Sequence, residues 1–217
     1  MHTNDMKQRL GFLVFSIILN SAANGLTIST NLGSAVWTAS SVNLADWIHI
    51  SLGTTMFIYG IVVTLMNQIL IGSFDRRRFI SNLLYIIPFS YLVDWTHLFW
   101  NWIGVPGYSL GWRIVIDLVG LTGIAFAVSI YQRCNILMHP NDDLSYILRF
   151  KYLHGSAALA QWVSYTPPIL IMVMSYFATG QLHAIGFGTV WALLTQGIVM
   201  GWADNHVFPR LKHHVDL

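Results

Sequence analysis

The sequence has no glutamate, one cysteine and little charge: 11 basic and 9 acidic residues in 217, or 9% charged. A soluble domain needs roughly 25–35% charged residues on its surface, so an ordinary water-soluble fold is excluded. The lone Cys134 excludes an intramolecular disulfide framework. A formal net charge of +2 says little about partners, since the placement of charges matters more than their sum, and nucleic-acid binding is not expected. There is no HExxH, CxxC or Walker pattern, so no metal or cofactor site is expected.

What is present is apolar. Hydrophobic residues make up 55% of the chain and aromatic residues 14%, and the mean hydropathy is +0.57. Runs such as GFLVFSIIL and PPILIMVM lack the period-two alternation of a membrane β-barrel. The expected fold class is therefore an all-α integral membrane protein. Charges and turn residues delimit six apolar segments, at about 10–30, 52–72, 79–100, 112–133, 155–178 and 186–206. Each is near the roughly 20 residues that cross about 30 Å of hydrocarbon. Residues 1–9 followed by an apolar run resemble a signal peptide, but the run continues past Asn20 without a small-residue cleavage site and reads as the first membrane helix.

With six spans, Lys7 and Arg9, Arg76-Arg77-Arg78, Arg133, Arg149 with Lys151, and Arg210 with Lys212 all fall on one side, and only Arg113 lies opposite. The positive-inside rule then predicts a multi-pass protein with both termini cytoplasmic. The chain reads as one transmembrane domain, 1–217, divisible into three-helix halves at 1–105 and 106–217. If the halves are related, an odd number of spans makes the repeat inverted, as in many transporters. Each half has a polar interruption after its first span, NLGSAVW at 31–37 and NILMHPNDDL at 135–144.

Four short motifs carry a family resemblance. They are Asn31-Leu32-Gly33 followed by Trp37, Ser51-Leu52-Gly53-Thr54, the run LLYIIPFSYLVDW ending in Asp94-Trp95, and GFGTVWALLTQGIVMGW from Gly186 to Trp202, with Gly186-Phe187-Gly188-Thr189 the closest match. Together they resemble the YitT/YczE-like bacterial membrane proteins across most of the chain. Many members have a proline and an acidic residue around the Trp of the LG segment, where this sequence has Val36-Trp37-Thr38. Pro140 and Asp142-Asp143 look like the corresponding residues in the second half. The resemblance implies a multi-span inner-membrane protein with a transport-like role and no defined substrate.

Ionisable and amide groups in apolar segments are the candidate functional residues, because each must face the bundle, find a partner or take up a proton. Asp94 and Asp117 are candidate solute or proton groups; Asp117 also has a structural reading as the i+4 partner of Arg113. Asn20, Asn24, Asn31 and Trp37 form a polar-aromatic series at one end of the first span, and Asn20 and Asn24 share a helix face. They suit either solute contact or helix adhesion. Asp46 and His49 could line the same mouth. His154, Asp204 and His206 form a candidate proton-sensitive cluster, whereas His139 reads as a loop residue and His213-His214 as a tail. Trp95, Trp100, Trp102 and Trp112 read as an interfacial aromatic belt.

The leading functional expectation is a small-solute membrane transporter or membrane-embedded solute-binding transport subunit. One alternative is the substrate-capture subunit of an ATP-driven, energy-coupling-factor type vitamin importer. Others are an intramembrane lipid-modifying enzyme or a non-catalytic assembly partner. Expected partners are membrane lipid, a small polar or amphipathic solute, and either ATPase transport partners or further copies in a homo-oligomer.

Overall fold

A computed structural model describes residues 3–154 and 157–211, and among these every regular element is helical. The α-helices are α1 Thr3–Thr30, α2 Val36–Ile48, α3 Leu52–Ile71, α4 Arg76–Ile103, α5 Leu110–Cys134, α6 Pro140–Ile147, α7 Ala157–Ser164, α8 Thr166–Thr179 and α9 Phe187–His206. A 3-10 turn, Val105–Gly107, joins α4 to α5, and a π-helical turn, Leu148–Tyr152, continues α6.

The all-α expectation holds, but six spans do not. Among the described residues three helices are long and apolar enough to cross a membrane: Met6–Thr30, Leu52–Ile71 and Leu110–Cys134. The other three expected spans fail for separate reasons. Residues 79–100 lie within α4, a continuous helix through Pro88, but Tyr85, Ser90, Tyr91, Asp94, Trp95, Thr96 and His97 dilute its aliphatic content. The segment 155–178 is broken at Tyr165, ahead of Pro167-Pro168, which leaves α8 with 14 residues. At 1.5 Å per residue that is roughly 21 Å, short of the hydrocarbon thickness. In α9, Thr189, Thr195, Gln196, Asp204 and its glycines lower the hydropathy. Conversely, residues 36–48, expected in a loop, form α2. No clear inverted three-helix repeat is present among the described residues, and the assignment of both termini to one side loses the six-span count on which it rested.

Side chains in the long helices are arranged inside out relative to a soluble protein. α3 exposes Ile58, Val62, Leu65 and Ile69 along one stripe and buries Thr55, Thr64 and Asn67. α1 likewise exposes Leu10, Val14, Phe15 and Ile18 while burying Ser16, Asn20, Ser21, Asn24 and Thr27. Lipid accepts the aliphatic stripe without cost, and the hydroxyls and amides find partners only inside the bundle. This is the surface of a membrane protein.

α1 is the axis of the assembly, packed against α4 on one side and α5 on the other, while α3 packs on α4, α9 on α5 and α2 on α8. Small residues set the spacing. A Cβ on Gly120 of α5 would lie 2.6 Å from Thr27 Cγ2, and one on Gly25 would lie 2.6 Å from the backbone nitrogen of His97. At one end, buried Arg9 donates from Nε to the Cys134 carbonyl at 3.0 Å. Arg133, 1% exposed, donates to the carbonyls of Val207, Phe208 and Leu211 at 2.8–3.1 Å. The start of α1, the end of α5 and the segment after α9 therefore meet, and Phe12 packs on Phe208 with ring centroids 4.8 Å apart.

Candidate functional site

The centre of the molecule is crossed by a chain of hydrogen bonds that starts from hydroxyl and amide side chains placed one helical turn apart. Thr38 Oγ1 of α2 donates to Asn24 Oδ1 at 2.5 Å. Asn24 Nδ2 donates to both the carbonyl and the Oδ1 of Asn20 at 2.9 Å. Asn20 Nδ2 donates to the Tyr85 hydroxyl of α4 at 3.1 Å. All four side chains are buried. In a low-dielectric interior such a chain ties α2, α1 and α4 together, since breaking any link strands a buried polar group.

Beside this chain lies a cavity of about 730 Å³, within the roughly 300–1,000 Å³ of small-molecule sites. Trp37, Met56, Tyr59, Ile86, Phe89 and Tyr165 give it apolar and aromatic walls, and Leu193, Ile198 and Met200 of α9 close another side. Trp37 and Tyr59 pack with centroids 5.4 Å apart. Its polar lining comes from Asn20, Asn24 and Thr38, from Gln132, Gln161 and Gln196, and from the segment after α5: His139, Asp142, Tyr146 and Arg149.

Amides on two other helices fix that segment. Asn67 Nδ2 of α3 donates to the Pro140 carbonyl at 2.9 Å, and Asn82 Nδ2 of α4 to the Met138 carbonyl at 3.1 Å. His139 is held between these anchors as the N-cap of α6, its Nδ1 accepting the Asn141 N–H at 3.2 Å, with Pro140 at the first helical position. Tyr85 and Phe89 pack on its ring in T-shaped arrangements at centroid distances of 5.2 and 4.8 Å. Asp142 and Asp143 occupy the first turn of α6, where the helix dipole favours negative charge. The Tyr131 hydroxyl donates to Asp142, and Arg78 pairs with Asp143 at 3.3 Å.

Burial without a compensating charge pushes the His139 imidazole down to about 3, so it is neutral at physiological pH. Burial pushes the Asp142 carboxyl up to about 6, against the Tyr131 hydrogen bond. Asp143 is likewise pushed up by burial to about 6, although Arg78 opposes the shift.

The structure brings Asn20, Asn24 and Trp37 together at the cavity, with the two amides engaged mainly in joining helices. The other candidates lie apart from its lining. Asn31 is exposed at the turn after α1 in a left-handed conformation, φ 53°. Asp94 is half-buried against Gly53, where a Cβ would lie 3.0 Å from its own. Asp117 is fully buried, accepts from Thr30 Oγ1 at 2.8 Å, and has no hydrogen-bond partner for Oδ2. The expected Arg113 partnership is indirect: Arg113 Nε donates to the Thr30 carbonyl at 2.6 Å, so Thr30 bridges the two residues. Gly188 packs so closely on Asp117 that any Cβ there would clash with the carboxylate.

Asp204 is held by Arg133 at 3.6 Å and by the Ser129 hydroxyl at 2.6 Å. His206 stacks on Trp202 at 4.5 Å, and His154 is exposed at a left-handed turn. Asp46 pairs with His183 at 3.4 Å rather than His49. His213 and His214 lie outside the described residues. Among the described residues no three His, Cys, Asp or Glu side chains gather as a metal-binding group. The residues missed from sequence are Thr38, Tyr59, Tyr85, Tyr131 and above all His139, whose only local signal was the histidine–proline step that caps α6.

Residues 7–205 match the model of a family of unknown function, DUF6198. The chain belongs to the DUF6198 family. It is also similar to an uncharacterized protein of Haemophilus influenzae, 24% identical over 204 residues, which cover 94% of this chain and 86% of that protein. No solved structure matches the chain. In this DUF6198 chain the matched region contains every residue of the cavity wall.

The buried ionisable groups give opposed pH dependences. The folded-state pKa of His139 lies below its ordinary value of 6.5, so its contribution is fully present above that pH and is lost as the pH falls toward about 3. Asp142 and Asp143 act in reverse: their contribution is present below about pH 4 and lost as pH rises through about 6. Between pH 6.5 and 5 acidification should remove the His139 contribution and restore that of the two carboxyls, so comparison with a His139 variant isolates the histidine. Thermal unfolding in detergent micelles should therefore show His139→Gln gaining stability relative to wild type on going from pH 7 to pH 5; an identical acid response would contradict the buried neutral imidazole.

Proposed function

We propose that this protein is a small-solute membrane transporter, or the membrane-embedded solute-binding subunit of a transport system, and that the cavity between Trp37, Phe89 and His139 is its solute site. The observation that carries the reading is a drug-sized space inside a lipid-adapted helical bundle, walled by rings and aliphatic side chains and served by a few buried polar groups. Transport, rather than intramembrane catalysis, is favoured because the cavity's ionisable groups are dispersed or engaged: Asp142 with Tyr131, Arg78 with Asp143. The resemblance to YitT/YczE-like proteins supports the same role.

Native mass spectrometry of gently extracted protein tests this reading. A discrete small molecule should remain bound and should be lost when Ala192→Phe fills the cavity. Protein carrying only bulk lipid would contradict a high-affinity site, and reproducible retention of an ATPase would identify the chain as a capture subunit.

We place the protein in the bacterial inner membrane as a multi-pass chain with both described ends on the cytoplasmic face. Lys7, Arg9, Arg133 and Arg210 gather where α1 begins and α5 ends, and Arg78 pairs with α6 shortly beyond. In a Cys134→Ala background, Arg76→Cys should react with a membrane-impermeant thiol reagent only in inverted vesicles; labelling in intact spheroplasts would overturn this orientation.

A further inference from the structure

The cavity wall is not closed all round. α9 packs along α5, and Leu193 in its first half rests on the group Val36, Ala39, Tyr165 and Met172 that joins α2 to α8. Past Leu193, no packed face among the described residues joins α9 to α7. The residues that line the cavity on this side also belong to the outer surface: Trp162 of α7 is 61% exposed, and Leu194 and Ile198 of α9 are 64% and 73% exposed. Gly197 lines the cavity beside them, and a Cβ built there meets nothing within 4 Å. Large apolar side chains on the surface of this bundle face hydrocarbon. Side chains shared between that surface and the cavity wall therefore mark a seam where the cavity opens sideways into the bilayer.

Polarity changes along the cavity as it does across one leaflet. Arg78 of α4 lines one end and Phe89 of the same helix lies eleven residues further on. At 1.5 Å per residue they are about 16 Å apart, roughly half of a hydrocarbon core about 30 Å thick. Asp142, Tyr146 and Arg149 accompany Arg78. Just beyond them Lys151 Nζ and the Tyr152 hydroxyl reach the Leu70 carbonyl at the end of α3, at 2.9 and 2.7 Å, so this is an end of the bundle. Toward Phe89 the wall becomes Trp37, Met56, Ile86 and Ile124, and the amides there are engaged with Thr38, Tyr85 and each other. The polar end holds guanidinium groups, a carboxylate and the Gln132 amide together, so it singles out no charge sign and serves any head that can hydrogen-bond.

Building on the solute-site reading above, we propose that the solute is a single-chain amphiphile taken from the bilayer through the seam between α7 and α9, its polar head held at the Arg78–Arg149 end and its chain laid toward Trp37 and Phe89. A drug-sized space accommodates one chain, and a chain entering by the seam never crosses water. The closing experiment uses the full-length protein in lipid nanodiscs and two photoreactive probes, with adducts mapped by mass spectrometry. One is a lysophosphatidylcholine carrying a diazirine near the end of its chain, and the other is water-soluble benzophenone-4-carboxylate. Gly197→Trp obstructs the seam at a position with room for a side chain, Ala192→Phe fills the cavity, and thermal unfolding checks that both variants are folded.

The lysolipid should form adducts on Trp37, Ile86 or Phe89, form them at least five-fold more slowly in Gly197→Trp, and lose them in Ala192→Phe. Lysolipid adducts confined to the outward stripe at Ile58, Val62 and Ile69, or wall adducts that form at the wild-type rate in Gly197→Trp, would overturn capture through the seam. Labelling of the wall by benzophenone-4-carboxylate alone would leave a solute site in place and overturn this inference. Failure of both probes to label the wall would overturn the solute-site reading and this inference with it.

Discussion

Everything in the bundle depends on satisfying the polar groups of α1 away from water. Asn20 and Asn24 sit in the middle of a helix whose outer stripe is aliphatic, and an amide left without partners in that medium would cost more than a typical helix contact returns. The solution is the run from Thr38 through Asn24 and Asn20 to Tyr85. It fixes α2 and α4 against α1, and the close approaches at Gly25 and Gly120 bring the helix backbones near enough for short side chains to reach. Because these amides are consumed in holding helices together, the polar capacity left for a solute lies elsewhere in the wall.

Part of that capacity belongs to a short segment that enters the bundle, beside Gln132 of α5 and Gln196 of α9. After α5 ends at Asn135, whose left-handed conformation turns the chain, the next residues run between α3 and α4 and are gripped there by Asn67 and Asn82. α6 begins inside the protein with His139 as its cap. An irregular backbone at this depth is tolerated because side-chain amides satisfy its carbonyls, the same condition that governs interrupted helices lining cavities in other membrane proteins. The cavity thus owes its apolar walls to the long helices and much of its polar lining to an inserted turn.

This division explains which features were legible in the sequence. The segments at 10–30, 52–72 and 112–133 were readable because continuous aliphatic residues leave no other way to satisfy a backbone in lipid. The Asn20–Asn24 pairing followed from a spacing of four. The remaining three spans were over-read: apolar composition alone did not register the break at Tyr165 or the polar content of α4 and α9. α2 was passed over because its buried face carries Ser40, Ser41 and Asn43, residue types that signal a loop in isolation. Asp117 and Arg113 have the right spacing for direct contact, but Thr30 of α1 comes between them. His139 read as a loop residue because its burial is imposed by α3 and α4, far away in sequence.

The account's central claim is that these helices enclose a site for a solute of moderate size. A side-chain-resolution density map of the protein in lipid nanodiscs, prepared without added ligand, tests it most directly. The account predicts an open space, or density for a non-protein molecule, bounded by Trp37, Phe89 and His139. A map in which α9 has collapsed onto Trp37 and Phe89 would contradict it.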